Sequence, residues 1–239
     1  MKPDIDPIQK AKRSAALAAV KHVKDGFVVG LGSGSTAAFA IEALGEQVKK
    51  ENLRILGVPT SYQAFLLAVQ SGILITSLDE HPEVDVTIDG ADQVTPELYL
   101  IKGMGAALAR EKIVAAASKL NVIIADEQKK VKLLGEKGQV VPVEVLPFAI
   151  SLAKRKIVAI GGKPTLREGK GKLGPTITDN GNAILDSYFG EMHMPAEVDV
   201  KVKMIPGVVE TGFFVGLTDI AYVGTASGSV EKIEKLSRK

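Results

Sequence analysis

Three carboxylates and a lysine crowd one short stretch of this chain: Asp89 and Asp92 in Asp89-Gly90-Ala91-Asp92, Lys102 in Lys102-Gly103-Met104-Gly105, and Glu111 in Arg110-Glu111-Lys112. Such a set can bind a polyol and move a proton on it without a cofactor, one carboxylate taking the proton while the lysine stabilises the charge that develops. Glu111 carries the sharpest signal. On a helix its neighbours three and four positions away are Ala107, Leu108, Val114 and Ala115, all apolar, so part of the charged triplet must face packed surface. Burial there disfavours the ionised carboxylate and raises its pKa, as a general base near neutral pH requires. An internal ion pair among Arg110, Glu111 and Lys112 fits the same spacing, and periodicity does not separate the two.

Asp89 lies where a parallel strand should end, which places residues 89–92 in the crevice outside the carboxyl ends of the strands. A second element, Gly30-Leu31-Gly32-Ser33-Gly34-Ser35-Thr36, supplies what a phosphate needs. Its glycines let backbone N–H groups approach an anion, a helix N-terminus follows, and Ser33, Ser35 and Thr36 add hydroxyls around Gly34. Helix capping by Ser35 would use only one of those hydroxyls. The turn is no nucleotide loop. Gly34 rather than lysine precedes Ser35, Ser35 replaces the third glycine of a dinucleotide fingerprint, and Pro59-Thr60-Ser61 stands where that fingerprint wants an acid. Lys129 and Lys130 follow a strand ending at Asp126 and could reach a phosphate or remain solvated. His22, His81 and His193 share no metal-ligand spacing, so no metal site is expected.

These residues need a scaffold, and the pattern supplies one. Strand-like runs at 27–31, 54–58, 73–76, 84–88 and 122–125 alternate with helix-like segments at 37–50, 62–70 and 105–120. Continuous β-branched runs between helices predict a parallel sheet covered on both faces. From 140 to 214 the order reads β-α-β-β-α-β, the ferredoxin-like signature, with strands at 140–145, 164–167, 183–188 and 208–214. Its helices fall at 148–160 and 196–205, the latter equally compatible with a strand. A strand at 220–224 then returns to the first sheet, followed by a short helix after Gly228. The fold class is α/β, a Rossmann-like mostly parallel sheet domain (1–130 plus 215–239) with an inserted smaller α+β ferredoxin-like domain (131–214).

Composition narrows the chemistry. The chain has 239 residues, a net charge of +2 with mixed signs, and only 5% aromatic residues, which excludes a nucleic-acid face. Lys201 to Lys203 and the terminal Ser237-Arg238-Lys239 read as solvated surface. With no cysteine there is neither disulfide nor thiolate chemistry. Neither a signal peptide nor a membrane span is expected, and a cytoplasmic protein follows.

Taken together the motifs resemble ribose-5-phosphate isomerase of the A type. The blocks run in family order: residues 30–37, 89–92, 102–108, 110–114, Val141-Pro142-Val143-Glu144-Val145, Thr178-Asp179-Asn180-Gly181-Asn182 and Pro206-Gly207-Val208-Val209. The resemblance implies cofactor-free interconversion of ribose 5-phosphate and ribulose 5-phosphate through an enediolate, a step of the pentose phosphate pathway. It makes Glu111 the base between C2 and C1, and gives Asp89 ring opening or hydroxyl protons. Asp92 would place the sugar, and Lys102 would stabilise the enediolate. It assigns substrate contacts to Ser33, Gly34, Ser35 and Thr36, to Gly90 and Ala91, to Gly103, Met104 and Gly105, and to Lys129 and Lys12. A homodimer or homotetramer is also implied. Two positions depart from the family: Gln93 replaces a glutamate, and Met104 replaces a third glycine. A different enzyme on a related scaffold, such as an aminosugar-phosphate deaminase or another aldose–ketose isomerase, and a non-catalytic sugar-phosphate sensor are the competing classes. Neither a His–acid pair nor a helix-turn-helix segment supports them.

Overall fold

The computed structural model describes residues 6–169, 171 and 173–235, so Ser237-Arg238-Lys239 lies outside the described residues. Helix α1 (Pro7–Ala19) opens with Asp6 accepting from Ile8 N at 3.1 Å and proline in its first turn, both N-terminal signals. Strands β1 (Val28–Leu31), β2 (Leu56–Pro59), β3 (Leu74–Ile75) and β4 (Val86–Gly90) follow, with α2 (Ser35–Glu51) and α3 (Tyr62–Ser71) as crossovers. Then come β5 (Gln93–Val94), β6 (Leu100–Ile101), α4 (Leu108–Ala116) and β7 (Asn121–Asp126). The second half contributes β8 (Val141–Val145), α5 (Ile150–Ala159), β9 (Lys163–Leu166), β10 (Ala183–Tyr188), α6 (Pro195–Lys203) and β11 (Val208–Thr211). Strands β12 (Phe213–Phe214), β13 (Ile220–Gly224) and β14 (Val230–Glu234) complete it.

Seven strands form one sheet in the order β14-β13-β7-β4-β1-β2-β3, parallel throughout except for β14. Both faces are covered, so β1 and β7 are buried along their whole lengths, as their unbroken apolar runs require. From β1 the chain winds outward to β2 and β3, then returns to β4 on the other flank of β1. The carboxyl ends of β1 and β4 therefore bound the crevice where strand order reverses. The second sheet, β11-β8-β10-β9, is antiparallel and ferredoxin-like, with a core of its own that includes Val143, Val145, Ile157, Leu185 and Val202.

Three departures from the sequence expectations, and one ambiguity, have local causes. The helix expected at 105–120 spans only Leu108–Ala116, because Gly103 to Ala106 form a turn with left-handed backbone at both ends (φ +99° and +59°). The ambiguous segment 196–205 resolves as a helix over Pro195–Lys203: Pro195 starts it, and Val202 is buried while Val200 is exposed. The run 208–214 breaks at Gly212, so that β11 joins the antiparallel sheet and β12 a separate three-stranded sheet, β12-β6-β5. That third sheet has no signature in the sequence, because its two-residue strands carry no periodicity. After Gly228 there is a strand, β14, rather than a helix. Glu231-Lys232-Ile233-Glu234 suits either state, but pairing with β13 and packing of Ile233 on the core decide it, and its charges blunt the sheet edge. Among the described residues no helix is long and apolar enough to cross a membrane.

Candidate active site

Asp89 is the penultimate residue of β4, beside the β1 turn. Its Oδ1 accepts from Ser33 N at 3.2 Å and Gly90 N at 2.7 Å, tying the two crevice turns to one carboxylate. Gly32 is dictated by this approach: a Cβ there would lie 2.2 Å from Asp89 Oδ1. Lys102 leaves β6 with its N–H on Gly212 O at 2.9 Å and sends its side chain inward. Its Nζ lies 2.9 Å from Asp89 Oδ2, 3.3 Å from Glu111 Oε1 and 2.6 Å from Gly90 O. The ring of Phe214 packs 5.4 Å from that ammonium. Asp89, Lys102 and Glu111 are 2%, 3% and 4% exposed, which makes this a dry charge cluster rather than a surface ion pair.

The cluster sets its own protonation. Burial is the largest influence on Glu111 and, with the Asp89 charge, lifts its carboxyl to about 8 against the pull of Lys102. Burial also raises Asp89, opposed by Lys102 and the two N–H donors. For Lys102 burial alone would lower the pKa, but the Asp89 and Glu111 carboxylates outweigh it and hold the ammonium above its ordinary range. Two carboxylates around one cation leave a surplus negative charge. It falls on Glu111, which accepts no backbone N–H bond among the described residues and whose Oε2 is buried without a partner among them.

Glu111 sits in the first turn of α4, and its neighbours fix that helix. Arg110 donates to Asn180 Oδ1 at 2.7 Å and Asp179 O at 2.9 Å, while Lys112 binds Glu210 Oε1 at 2.9 Å and Thr211 O at 2.8 Å. The triplet therefore pairs outward in three directions, and the internal ion pair does not form.

Glu111 borders a cavity of about 130 Å³. The β1 turn forms one side, through Ser33, Gly34, Ser35 and Thr36, with Gly90, Ala91 and Asp92 beneath. Lys102, Gly103, Met104 and Gly105 also line it, as do Lys12 and Lys129. Every expected site residue except Asp89 borders this space; Asp89 lies under its floor. Lys130 instead binds Glu231 at 2.6 Å. The hydroxyls divide their work: Ser33 Oγ is engaged by Thr60 (2.8 Å) and Ser61 (2.6 Å), while Ser35 Oγ accepts from Lys12 Nζ at 3.0 Å. Gly34, not Ser35, caps α2, without a side-chain bond, so its first N–H groups stay open to an anion. Larger grooves of about 490 and 670 Å³ lie near α2 and β3, away from the buried charges.

The two unusual positions fit. Gln93 donates to Glu136 O at 2.8 Å and accepts from Gly135 N at 2.8 Å, a pairing that an ionised glutamate could only half satisfy. Met104 has ordinary backbone, the left-handed residues being Gly103 and Ala106, so its side chain needs no glycine. His22 bonds Tyr222 OH and His81 bonds Thr76 Oγ1, at 2.9 and 2.8 Å, both outside the cavity. Among the described residues no group of three or more His, Asp or Glu is arranged to hold a metal ion.

Sequence reasoning missed Arg167. It comes from the antiparallel sheet and donates to Gly103 O (3.1 Å) and Met104 O (3.0 Å), a contact 64 residues long in sequence that no local pattern announces.

An open α/β sheet with a cation- and hydroxyl-bordered cavity at its switch point, and a proton-poised acid in the wall, defines an enzyme for small anionic substrates. Residues 56–228 match the model of the family "Ribose 5-phosphate isomerase A (phosphoriboisomerase A)". Ribose-5-phosphate isomerase A of Methanosarcina acetivorans is 48% identical over 94% of this chain and 94% of its own. The structure of ribose 5-phosphate isomerase A from Methanocaldococcus jannaschii superposes with a TM-score of 0.89 at 44% identity, covering 94% of this chain and 98% of that one. A D-ribose-5-phosphate isomerase in complex with phospho-erythronic acid superposes at 0.92, also 44% identical, covering 95% and 99%. The chain belongs to the ribose 5-phosphate isomerase A family and is an isomerase.

Proposed function

We propose that this enzyme interconverts D-ribose 5-phosphate and D-ribulose 5-phosphate through an enediolate, with Glu111 carrying the proton between C2 and C1. One observation carries the reading. Glu111 borders the same cavity as the phosphate-type turn, and its Oε2 is a desolvated carboxylate oxygen with no partner among the described residues. The family supports the substrate pair, and the phospho-erythronic acid held by the relative is apt chemistry. A sugar acid of this kind, one carbon shorter than the pentose, puts a planar anionic carboxylate where an enediolate would develop its charge.

The phosphate is held by the N–H groups at the start of α2, the Ser35 and Thr36 hydroxyls and the Lys12 and Lys129 ammonium groups. Asp92, facing the cavity, takes a sugar hydroxyl and places the chain. Asp89 lies beneath the floor with both oxygens engaged, so its part in ring opening runs through Lys102 and the Gly90 turn that it fixes. Glu111 removes the C2 proton and returns it to C1, while the proton on O2 passes to O1 as the carbonyl moves from C1 to C2. Protonation of Glu111 weakens its hold on Lys102, whose N–H then turns to the oxygen on which negative charge accumulates. The two charge changes are complementary: as the carboxylate is neutralised, the enediolate takes its place beside the ammonium.

The test is direct. Purified protein with ribose 5-phosphate should form ketose, and Glu111→Gln should bind the sugar phosphate yet barely turn it over. Ketose formation by the variant at the wild-type rate would remove Glu111 from this role.

A further inference from the structure

We propose that Arg167, braced by Asp186, is a positioning residue for this reaction: from the antiparallel sheet it sets the Gly103-Met104-Gly105 turn that walls the substrate cavity. This rests on the sugar-phosphate reading above. Arg167 follows β9, its backbone N–H fixed on Ile184 O at 2.9 Å. Its guanidinium forks onto Asp186 of β10, Nε reaching Oδ2 at 2.8 Å and Nη2 reaching Oδ1. The remaining Nη1 donates to Gly103 O at 3.1 Å and Met104 O at 3.0 Å. The arginine and aspartate side chains are 12% and 20% exposed, and neither borders the cavity, so any effect on substrate runs through the turn.

The turn needs such a brace. It belongs to neither a helix nor a strand and carries left-handed backbone at Gly103 and at Ala106, a conformation that a residue with a Cβ resists. On one side Asp92 Oδ2 accepts from Met104 N at 3.1 Å; on the other, Arg167 takes the two carbonyls. A trans peptide points its C=O and N–H in opposite directions. With Met104 C=O drawn to Arg167, the Gly105 N–H of the same peptide is turned away from the guanidinium, and Gly105 itself borders the cavity. Lysine cannot substitute. Its ammonium could meet Asp186 or the carbonyls, but it lacks the planar fork that does both at fixed angles.

Lys102 and Glu111 keep partners independent of Arg167, which fixes the expected signature. Arg167→Lys should raise KM for ribose 5-phosphate about tenfold, while the pH midpoint of kcat stays at the wild-type value. Arg167→Ala should regain its KM when methylguanidinium is added. A folded Arg167→Lys enzyme with KM within about twofold of wild type, or with a displaced pH midpoint, would overturn the proposal. Should these variants fail to fold, amide spectra of the wild-type protein titrated with phospho-erythronic acid decide it. Movement of the Gly105 signal together with those of Ser35 and Thr36 supports it. A static Gly105 beside moving Ser35 and Thr36 refutes it, and no movement at either turn refutes the sugar-phosphate reading beneath it.

Discussion

Replacing Glu111 with glutamine keeps the shape of the side chain and removes its charge, which separates two consequences of burial. Moving a carboxyl from its ordinary 4.5 to about 8 means that the fold disfavours the ionised form by on the order of 5 kcal/mol. Because the folded value is the higher one, the acid's contribution to stability is complete below pH 4.5 and is lost as the pH climbs to about 8. Glutamine carries no such penalty, so the variant should match wild type near pH 5 and exceed it by several kcal/mol at pH 9. Urea unfolding at both pH values, with equal slopes, measures this difference. Turnover should move the other way, falling roughly 10²–10⁴-fold, since a positioned base is removed. A stability difference independent of pH would refute the argument, because it would mean that Glu111 is as well solvated in the fold as in the unfolded chain.

Three further outcomes follow from the same geometry. In wild-type enzyme kcat/KM should rise with pH and level off near the Glu111 value of about 8, read from initial rates across pH 5.5–9.5; a profile flat through that range would deny Glu111 the base role. Glu144 is fully buried and takes Thr178 Oγ1, Asn180 Nδ2 and Asn182 Nδ2 onto one oxygen at 2.9, 3.1 and 2.8 Å. Glu144→Leu strands those donors and should cost about 3 kcal/mol in urea unfolding, whereas an unchanged midpoint would show that the turn finds other partners. Lys12→Met should raise KM about tenfold at unchanged kcat, the mark of binding shared by ground and transition states; a fall in kcat alone would place Lys12 in the chemistry instead.

Much of this architecture is legible in the sequence, and the reason is physical. The buried parallel strands are written as continuous β-branched runs, and the ends of β1 and β4 are marked by glycine turns, so the crevice and its residues could be located. Glu111 stood out because an acid among Ala107, Leu108, Val114 and Ala115 has no solvated face to turn to. What escaped is whatever depends on distant partners. The engagement of all three Lys102 donors, the position of Asp89 under the floor rather than in the wall, and the Arg167 brace are set by contacts across the fold. Strand β14 reads as a helix because Glu231-Lys232-Ile233-Glu234 has no strong preference, and only the free edge of β13 assigns it.

The central claim, a proton moved by a buried carboxylate, is tested most directly by running the wild-type reaction in heavy water and examining C1 of the ketose and C2 of recovered aldose by NMR. Transfer through Glu111 predicts deuterium at both carbons, because a protonated carboxyl bordering an open cavity exchanges with solvent during some turnovers. Delivery of the C2 hydrogen intact to C1, with no deuterium at either carbon over many turnovers and a Glu111→Gln variant that keeps the wild-type rate, would contradict it and point to a direct hydride shift.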